Sequence, residues 1–252
     1  MEILNFPLYY ISFKPNSRIE NHYQYYGFTN VNHHKAVDGR KLSVKKLLRD
    51  DIISIRVHDD LRGGRMTSGG MPSMGGIGCT LSHYELWKLC VEKNYPFIIV
   101  TEEDNRMIEQ LTEQRLKKIK DIISRPNGLF MGVDIKTEGD LKNVVRFFGT
   151  HFYIASQGAC RELVKRAFPI DVQTDWYMSH MSTMDFIEMR GFPVSTQNPD
   201  LYGSSIQAIC ISCMIPIRSN LFWIILILLF ISLIFAVIVL YKKNKTQCVN
   251  RI

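Results

Sequence analysis

The stretch Gly75–Lys88, GGIGCTLSHYELWK, followed after a short gap by Pro96–Asn105, PFIIVTEEDN, decides how this chain folds. The apolar run Phe97–Val100, bounded by Tyr95-Pro96, reads as a buried strand, and Glu102, Glu103 and Asp104 at its carboxyl end do not belong in a core. That end of a strand is where open α/β sheets bind ligands. Neighbouring carboxylates repel, so three of them at a strand end are tolerated best when a cation or hydrogen-bond donors neutralise them. Magnesium and manganese, hard ions that take oxygen ligands and often use only one or two protein carboxylates, suit such a cluster. The alternative is a solvated turn whose acids face the start of a helix over 106–124.

Outward from this stretch the chain alternates between short apolar runs and helical patterns. Strands are expected near 8–13, 31–36, 96–101, 129–133 and 149–155, and helices near 16–26, 43–50, 78–93, 106–124, 157–167 and 175–190. That order predicts an α/β domain with a mostly parallel sheet covered by helices on both faces. The helix over 78–93 carries Leu81, Leu86, Leu89 and Cys90 on one stripe. Ser82 and His83 lie near its start, and His83 reads either as a core or capping histidine or as a neighbour of the ligand. The run from Arg62 to Gly78 holds seven glycines. It is either a surface loop or backbone able to approach a phosphate closely, and Arg62 and Arg65 favour the second, since a guanidinium fork suits phosphate oxygens.

Taken in order, these segments resemble glycosyltransferase family 25, the lipooligosaccharide and collagen galactosyltransferase group. Leu8–Ser12 followed by Arg18 matches the opening strand and turn, and Ala36-Val37-Asp38-Gly39 matches an A-V-D-G signature. Gly75, Gly78, Cys79, Leu81, Ser82 and His83 match a G-x-x-G-C-x-L-S-H stretch, with Trp87 behind it. Thr101-Glu102-Glu103-Asp104 stands where the family has Leu-Glu-Asp-Asp, so Glu103 replaces an aspartate. Gly149–Ile154, the turn Ala155–Ala159, Thr174–Tyr177, Pro193–Gln197 and Ser204–Ile206 complete a likeness over roughly residues 8–207. The resemblance implies a GT-A-like nucleotide-sugar-binding domain that transfers galactose or glucose from a UDP-sugar to a glycan, glycolipid or protein acceptor, with inversion. It further implies Glu103 and Asp104 on a Mn2+ or Mg2+ ion, Ser82, His83 and Glu102 around the nucleotide donor, Asp38 orienting that nucleotide or capping a turn, and Asp175 as the catalytic base, Trp176 and Tyr177 offering a surface for a sugar. The run from Arg62 to Gly78, with Arg65 set toward the diphosphate, is longer than the family pattern. Away from the family, Asp175 or Asp171 reads equally as a helix N-cap. Glu103, one methylene longer than aspartate, leaves open an inactive relative that serves as a binding or adaptor module.

Composition bounds the rest. Leu221–Tyr241 is 21 residues without a charge, and as a helix it would reach about 31 Å, the thickness of a hydrocarbon slab. With Phe222-Trp223 at one edge and Tyr241-Lys242-Lys243 at the other, it reads as a single-pass transmembrane anchor. The expected organisation is therefore a catalytic domain over 1–215, a juxtamembrane segment and span over 216–241, and a basic tail over 242–252. No export signal is legible in the first residues, which predicts a cytosolic catalytic domain, although the lysines after the span point the other way under the positive-inside tendency. Of the net charge of +7, four basic residues lie after residue 219, so residues 1–219 carry only +3, too little to indicate a nucleic-acid partner. Cys79, Cys90 and Cys160 read as small hydrophobes. Cys210 and Cys213 form a C-x-x-C pair without the second pair of a zinc site. The basic cluster Arg40, Lys41, Lys45, Lys46 and Arg49 reads as a solvated face or as one attracted to anionic lipid.

Overall fold

The computed structural model describes residues 2–63, 70–71, 73–133 and 149–197, together with Phe230 and Ser232. Eight strands are found among them: β1 Leu8–Ser12, β2 Val31–Lys35, β3 Phe97–Glu102, β4 Asn105–Met107, β5 Gly128–Met131, β6 Phe152–Ser156, β7 Glu188–Gly191 and β8 Ser195–Gln197. The helices are α1 Ser17–Tyr25, α2 Val44–Arg49, α3 Ile55–Gly63, α4 Met74–Glu92, α5 Glu113–Ile123, α6 Gln157–Lys165 and α7 Thr174–Thr183. Six strands form one sheet in the order β2-β1-β3-β6-β5-β7. β1 is parallel to β2 and β3, and β5 to β7, whereas β6 runs against both of its neighbours. The expected mixed and mostly parallel sheet is present.

Its central strands are apolar without interruption because both faces are covered, as parallel sheets require. On β3 the side chains alternate between two cores. Ile98 and Val100 pack with Leu86, Trp87 and Cys90 of α4, Cys160 and Leu163 of α6, and Met178 and Met181 of α7. Phe97 and Ile99 face the opposite layer, with Ile19 and Tyr23 of α1 and Ile119 and Ile122 of α5. A smaller cluster of Ile53, Val57, Met71, Ile77 and Ile170 gathers α2 and α3 beside α4. The chain leaves β1 for β2 on one side and reaches β3 on the other, so the strand order reverses between β1 and β3. A crevice opens at the carboxyl ends of strands at such a reversal.

Several expected boundaries move. The helix expected from 78 begins at Met74, capped by Ser73, whose side chain accepts from Gly76 N, so the end of the glycine-rich run is helical. The helix expected over 106–124 starts only at Glu113 behind a Thr112 cap, because Asn105–Met107 pair with Ser195–Gln197 as a separate β4-β8 ribbon. Tertiary pairing here overrides a helix-compatible local sequence, and the acids at 102–104 do not precede a helix. The helix expected over 175–190 ends at Thr183; Asp185 has φ 57° and β7 follows at Glu188. Helix α3 carried no signal that the sequence reading used. The N-cap of α7 is Gln173, so neither Asp171 nor Asp175 caps it. Asp171 instead accepts from Ser54 and pairs with Arg56.

Residues 1–210 and 211–252 form separate compact units. In the second, Phe230 and Ser232 are described and are helical. The rest of the span expected over 221–241, the basic tail and the pair Cys210 and Cys213 lie outside the described residues. Among the described residues no helix is long and apolar enough to cross a membrane.

Two of the sequence motifs are joined by glycine backbone. Gly39 starts a short 3-10 turn, Gly39–Lys41, that packs on the first turn of α4. A Cβ on Gly78 would lie 2.4 Å from Val37 O and 2.7 Å from Gly39 N, and one on Gly39 would lie 1.7 Å from Met74 O. These obstacles are main-chain atoms and cannot rotate away. Gly78→Ala is expected to lower stability by about 1–3 kcal/mol or more through overpacking, read as a lower urea midpoint at an unchanged slope. An unchanged midpoint would mean that the 36–41 segment yields without cost.

Candidate functional site

The crevice at the strand-order reversal is a cavity of about 160 Å³. Ser12 and Phe13 at the end of β1, Ala36–Arg40 after β2, Glu102–Asp104 at the end of β3, and Cys79, Ser82 and His83 of α4 line it. A second cavity of about 100 Å³, lined by Gly149, Thr150, Gln173, Thr174 and Asp175, shares Cys79 and Glu102 with the first. Cys79 and Glu102 thus form the partition between them. Ligand pockets usually enclose about 300–1,000 Å³, so a nucleotide-sized ligand would occupy both spaces and extend beyond them.

Glu102 is held by donors on two sides. Thr150 Oγ1 donates to Glu102 Oε1 at 2.6 Å, and His83 Nε2 lies 3.3 Å from the same oxygen. His83 is fully buried, with Nδ1 3.0 Å from Tyr153 Oη, and Trp87 Nε1 donates to that hydroxyl at 2.8 Å. Burial works to raise the Glu102 carboxyl, but His83, Thr150 and His151 outweigh it and hold it below its ordinary value. His83 is therefore a core histidine, and its partner is the acid at the strand end.

Asp104 is in the opposite condition. It is 3 % exposed; Gln197 Nε2 donates to Oδ2 at 2.7 Å, while Oδ1 has no partner from another residue. Burial, reinforced by the Glu102 and Glu103 carboxylates, pushes its carboxyl up to about 7. Glu103 lines the same cavity. A buried carboxylate oxygen without a donor, beside a second acid, fits a divalent cation taking oxygen ligands. Asp104 and Glu103 are placed to hold one.

Ser82 and Asp38 shape the cavity rather than present free groups to it. Ser82 Oγ accepts from Val37 N at 2.9 Å and donates to Gly78 O at 2.7 Å, tying the loop after β2 to α4. Asp38 caps the 3-10 turn by accepting from Arg40 N and also binds the Arg40 guanidinium. That guanidinium holds its carboxyl below the ordinary range. Arg65 lies outside the described residues. Asp175, in the first turn of α7, accepts from Gly149 N at 3.2 Å and Trp176 N at 2.8 Å. Burial raises its carboxyl, those two bonds opposing, and Glu102 adds to the rise.

Cys79, Thr150, Tyr153 and Gln197 were not singled out as site residues in the sequence. Cys79, read as a small hydrophobe, lies at the cavity wall with a thiol that burial pushes well above its ordinary value. Cys90 and Cys160 do pack in the core as expected. The spacing of Cys79 and His83, four residues apart on one helix, was the available signal for the first.

An α/β domain with paired acids at a strand-order reversal defines a class of ligand-binding domains, and comparison with known proteins narrows it. Residues 67–178 match the family profile described as glycosyltransferase family 25 (LPS biosynthesis protein). A glycosyltransferase 25 family member of Drosophila melanogaster is 35 % identical over 74 residues, 29 % of this chain and 11 % of that protein. One of Aedes aegypti is 30 % identical over 159 residues, 58 % of this chain and 25 % of that protein. Among solved structures, A197 from STIV is similar with a TM-score of 0.39 and 10 % identity, over 75 % of this chain and 82 % of that one, a likeness too slight to bear on function. The matched segment is similar to glycosyltransferase family 25 and carries Cys79, Ser82, His83, Glu102, Glu103, Asp104, Thr150 and Asp175, whereas Ser12, Asp38, Arg40, Arg65 and Gln197 lie outside it. The chain spans between 11 % and 25 % of the length of these curated relatives.

The contrast between Glu102 and Asp104 is measurable. An acid whose folded pKa is raised favours the folded state when protonated. Its contribution is full below the ordinary value of 3.8 and is lost as pH rises through about 7. In metal-free protein, Asp104→Asn is expected to raise the denaturation midpoint over the parent chain at pH 8 and to lose that advantage by pH 4. The same difference at both pH values would show that this carboxyl is not the titrating group.

Proposed function

We propose that this chain is an inverting hexosyltransferase that takes galactose or glucose from a UDP-sugar and delivers it to a hydroxyl of a glycan, glycolipid or protein, with the domain held at a membrane by residues 221–241 and facing the cytosol. The observation that carries the reading is the pair of adjoining cavities. Asp104, one of whose carboxylate oxygens accepts from no other residue, borders one together with Glu103, and Asp175 borders the other. The match of residues 67–178 to the glycosyltransferase family 25 profile and the uncharged run Leu221–Tyr241 support it.

In this reading Glu103 and Asp104 would hold Mn2+ or Mg2+, which when bound would supply positive charge for a leaving diphosphate. Asp175 receives the proton of the acceptor hydroxyl as its oxygen bonds to the anomeric carbon, while the bond from that carbon to the diphosphate breaks and UDP departs. A carboxylate raised by burial is suited to this, because a base works best with a pKa closer to the working pH. Gly149 N and Trp176 N fix both Asp175 oxygens. Thr150 and His83 keep Glu102 ionised and stationary at the partition. The fixed acids exclude a second anion from the acceptor side.

A second reading rests on Glu103 standing where family 25 carries aspartate: a domain that binds the nucleotide without turning over the donor. A panel of nucleotide sugars, assayed for nucleoside diphosphate release with and without manganese, separates the two. Manganese-dependent release from one UDP-sugar is expected. It should fall by about 10²–10⁴-fold in Asp175→Asn, the range for loss of a positioned base, and be abolished in Asp104→Ala. A folded chain that binds UDP without release supports the second reading, and one that binds no nucleotide overturns both.

A further inference from the structure

Cys79, His83 and Glu102 bring a thiol, an imidazole and a carboxylate together at the partition between the two cavities. Their ligand atoms all lie within 4.8 Å of one another. We infer that these three residues form a binding site for a zinc-class cation, separate from the oxygen-ligand site at Glu103 and Asp104. The inference does not depend on the transferase reading and would stand in an inactive relative.

The local structure gives this trio the features of a metal site. Cys79 and His83 are one helical turn apart on α4, so they project from the same face. Glu102 meets them from the end of β3, and a cation would tie the helix to the sheet. His83 Nε2 and Glu102 Oε1 are 3.3 Å apart. That is long for a charge-assisted hydrogen bond, usually about 2.7–2.9 Å. It is about the edge of a tetrahedron built on zinc–nitrogen and zinc–oxygen distances near 2.0–2.2 Å. Closing the 4.8 Å limit around an ion takes a movement of about 1 Å, since a tetrahedral zinc with a bond to sulfur of about 2.3 Å has ligand edges near 3.5 Å.

The surroundings are those of ligating side chains. A ligating histidine almost always uses its other ring nitrogen to hold a fixed partner, and His83 Nδ1 lies 3.0 Å from Tyr153 Oη, itself fixed by Trp87. The carboxylate is likewise oriented, by Thr150. Cys79 and Glu102 border both cavities, so a fourth position opens to water or to a donor atom of a ligand. Three protein ligands with one open position is the pattern of reactive rather than purely structural zinc sites. The thiol sets the choice of ion: sulfur favours zinc over magnesium and manganese.

Cobalt(II) is the probe, because a bound thiolate gives a near-ultraviolet charge-transfer band and tetrahedral coordination gives intense visible bands. Cys210, Cys213 and Cys248 also carry thiols, so the titration uses the full chain with all three replaced by serine. One equivalent is expected to give both signatures, to be displaced by zinc and not by excess manganese, and to persist in Asp104→Asn. Cys79→Ser should abolish the charge-transfer band. Tyr153→Phe, which leaves all three ligands in place, should weaken zinc binding by about 10–100-fold, the usual effect of losing the partner of a ligating histidine. It keeps the inference testable if Cys79→Ser does not fold. A folded chain that shows no thiolate band, or a band and affinity unchanged in both Cys79→Ser and Tyr153→Phe, overturns the inference.

Discussion

The site depends first on two main chains meeting without a side chain between them. Gly78 in the first turns of α4 and Gly39 after β2 approach so closely that a methyl group on either would overlap carbonyl oxygen. Glycine is required there by space rather than by dihedral freedom. The contact seats the 36–41 segment against α4, and Ser82 locks it with bonds to Val37 N and Gly78 O. One wall of the main cavity is that segment and another is α4 itself. Without the glycine contact the two walls would stand a side chain apart.

Charge then divides the three consecutive acids into different roles. Three carboxylates on one strand end would repel if all were treated alike, and the fold treats them differently. Glu102 receives donors from Thr150 and His83 and stays ionised at the partition. Asp104 is buried with one oxygen satisfied by Gln197 and the other unpartnered, which makes it the acid that most needs a cation or a proton. Arg40, the guanidinium on the lining of that cavity, is already committed to Asp38. The deficit of positive charge at Asp104 is therefore not met by that arginine.

Much of the architecture was legible because it follows from local pattern. Phe97–Val100 and Phe152–Ala155 are apolar runs that only a sheet covered on both faces can hide, and both are buried strands. The pairing of the A-V-D-G and G-x-x-G-C segments could not be read from spacing, since it arises from a backbone contact between residues 39 apart in the chain. The ribbon of Asn105–Met107 with Ser195–Gln197 was hidden for the same reason: its partner lies some ninety residues away, and nothing local distinguishes it from a helix start. Asp175 was legible as an acid beside aromatics, yet its bond to Gly149 N was not. Cys79 was misjudged because a cysteine among apolar neighbours looks the same whether it faces a core or a cavity wall.

The one antiparallel strand explains why these groups converge. Strands β1, β2 and β3 place their carboxyl ends at the crevice, and β6, running the other way, places its amino end there, with Phe152 opposite Thr101. The segment that enters β6 consequently arrives beside the acids of β3. His151 O accepts from Glu102 N, Thr150 donates to the Glu102 carboxylate, and Gly149 N donates to Asp175. Three successive residues thus set the strand-end backbone, the shared acid and the acid on α7. Had β6 been parallel, this segment would lie at the far edge of the sheet. Glu102 and Asp175 would then face each other across the second cavity with Thr150 and Gly149 too distant to hold them. The reversal of a single strand is what lets two half-buried carboxylates stand in one crevice.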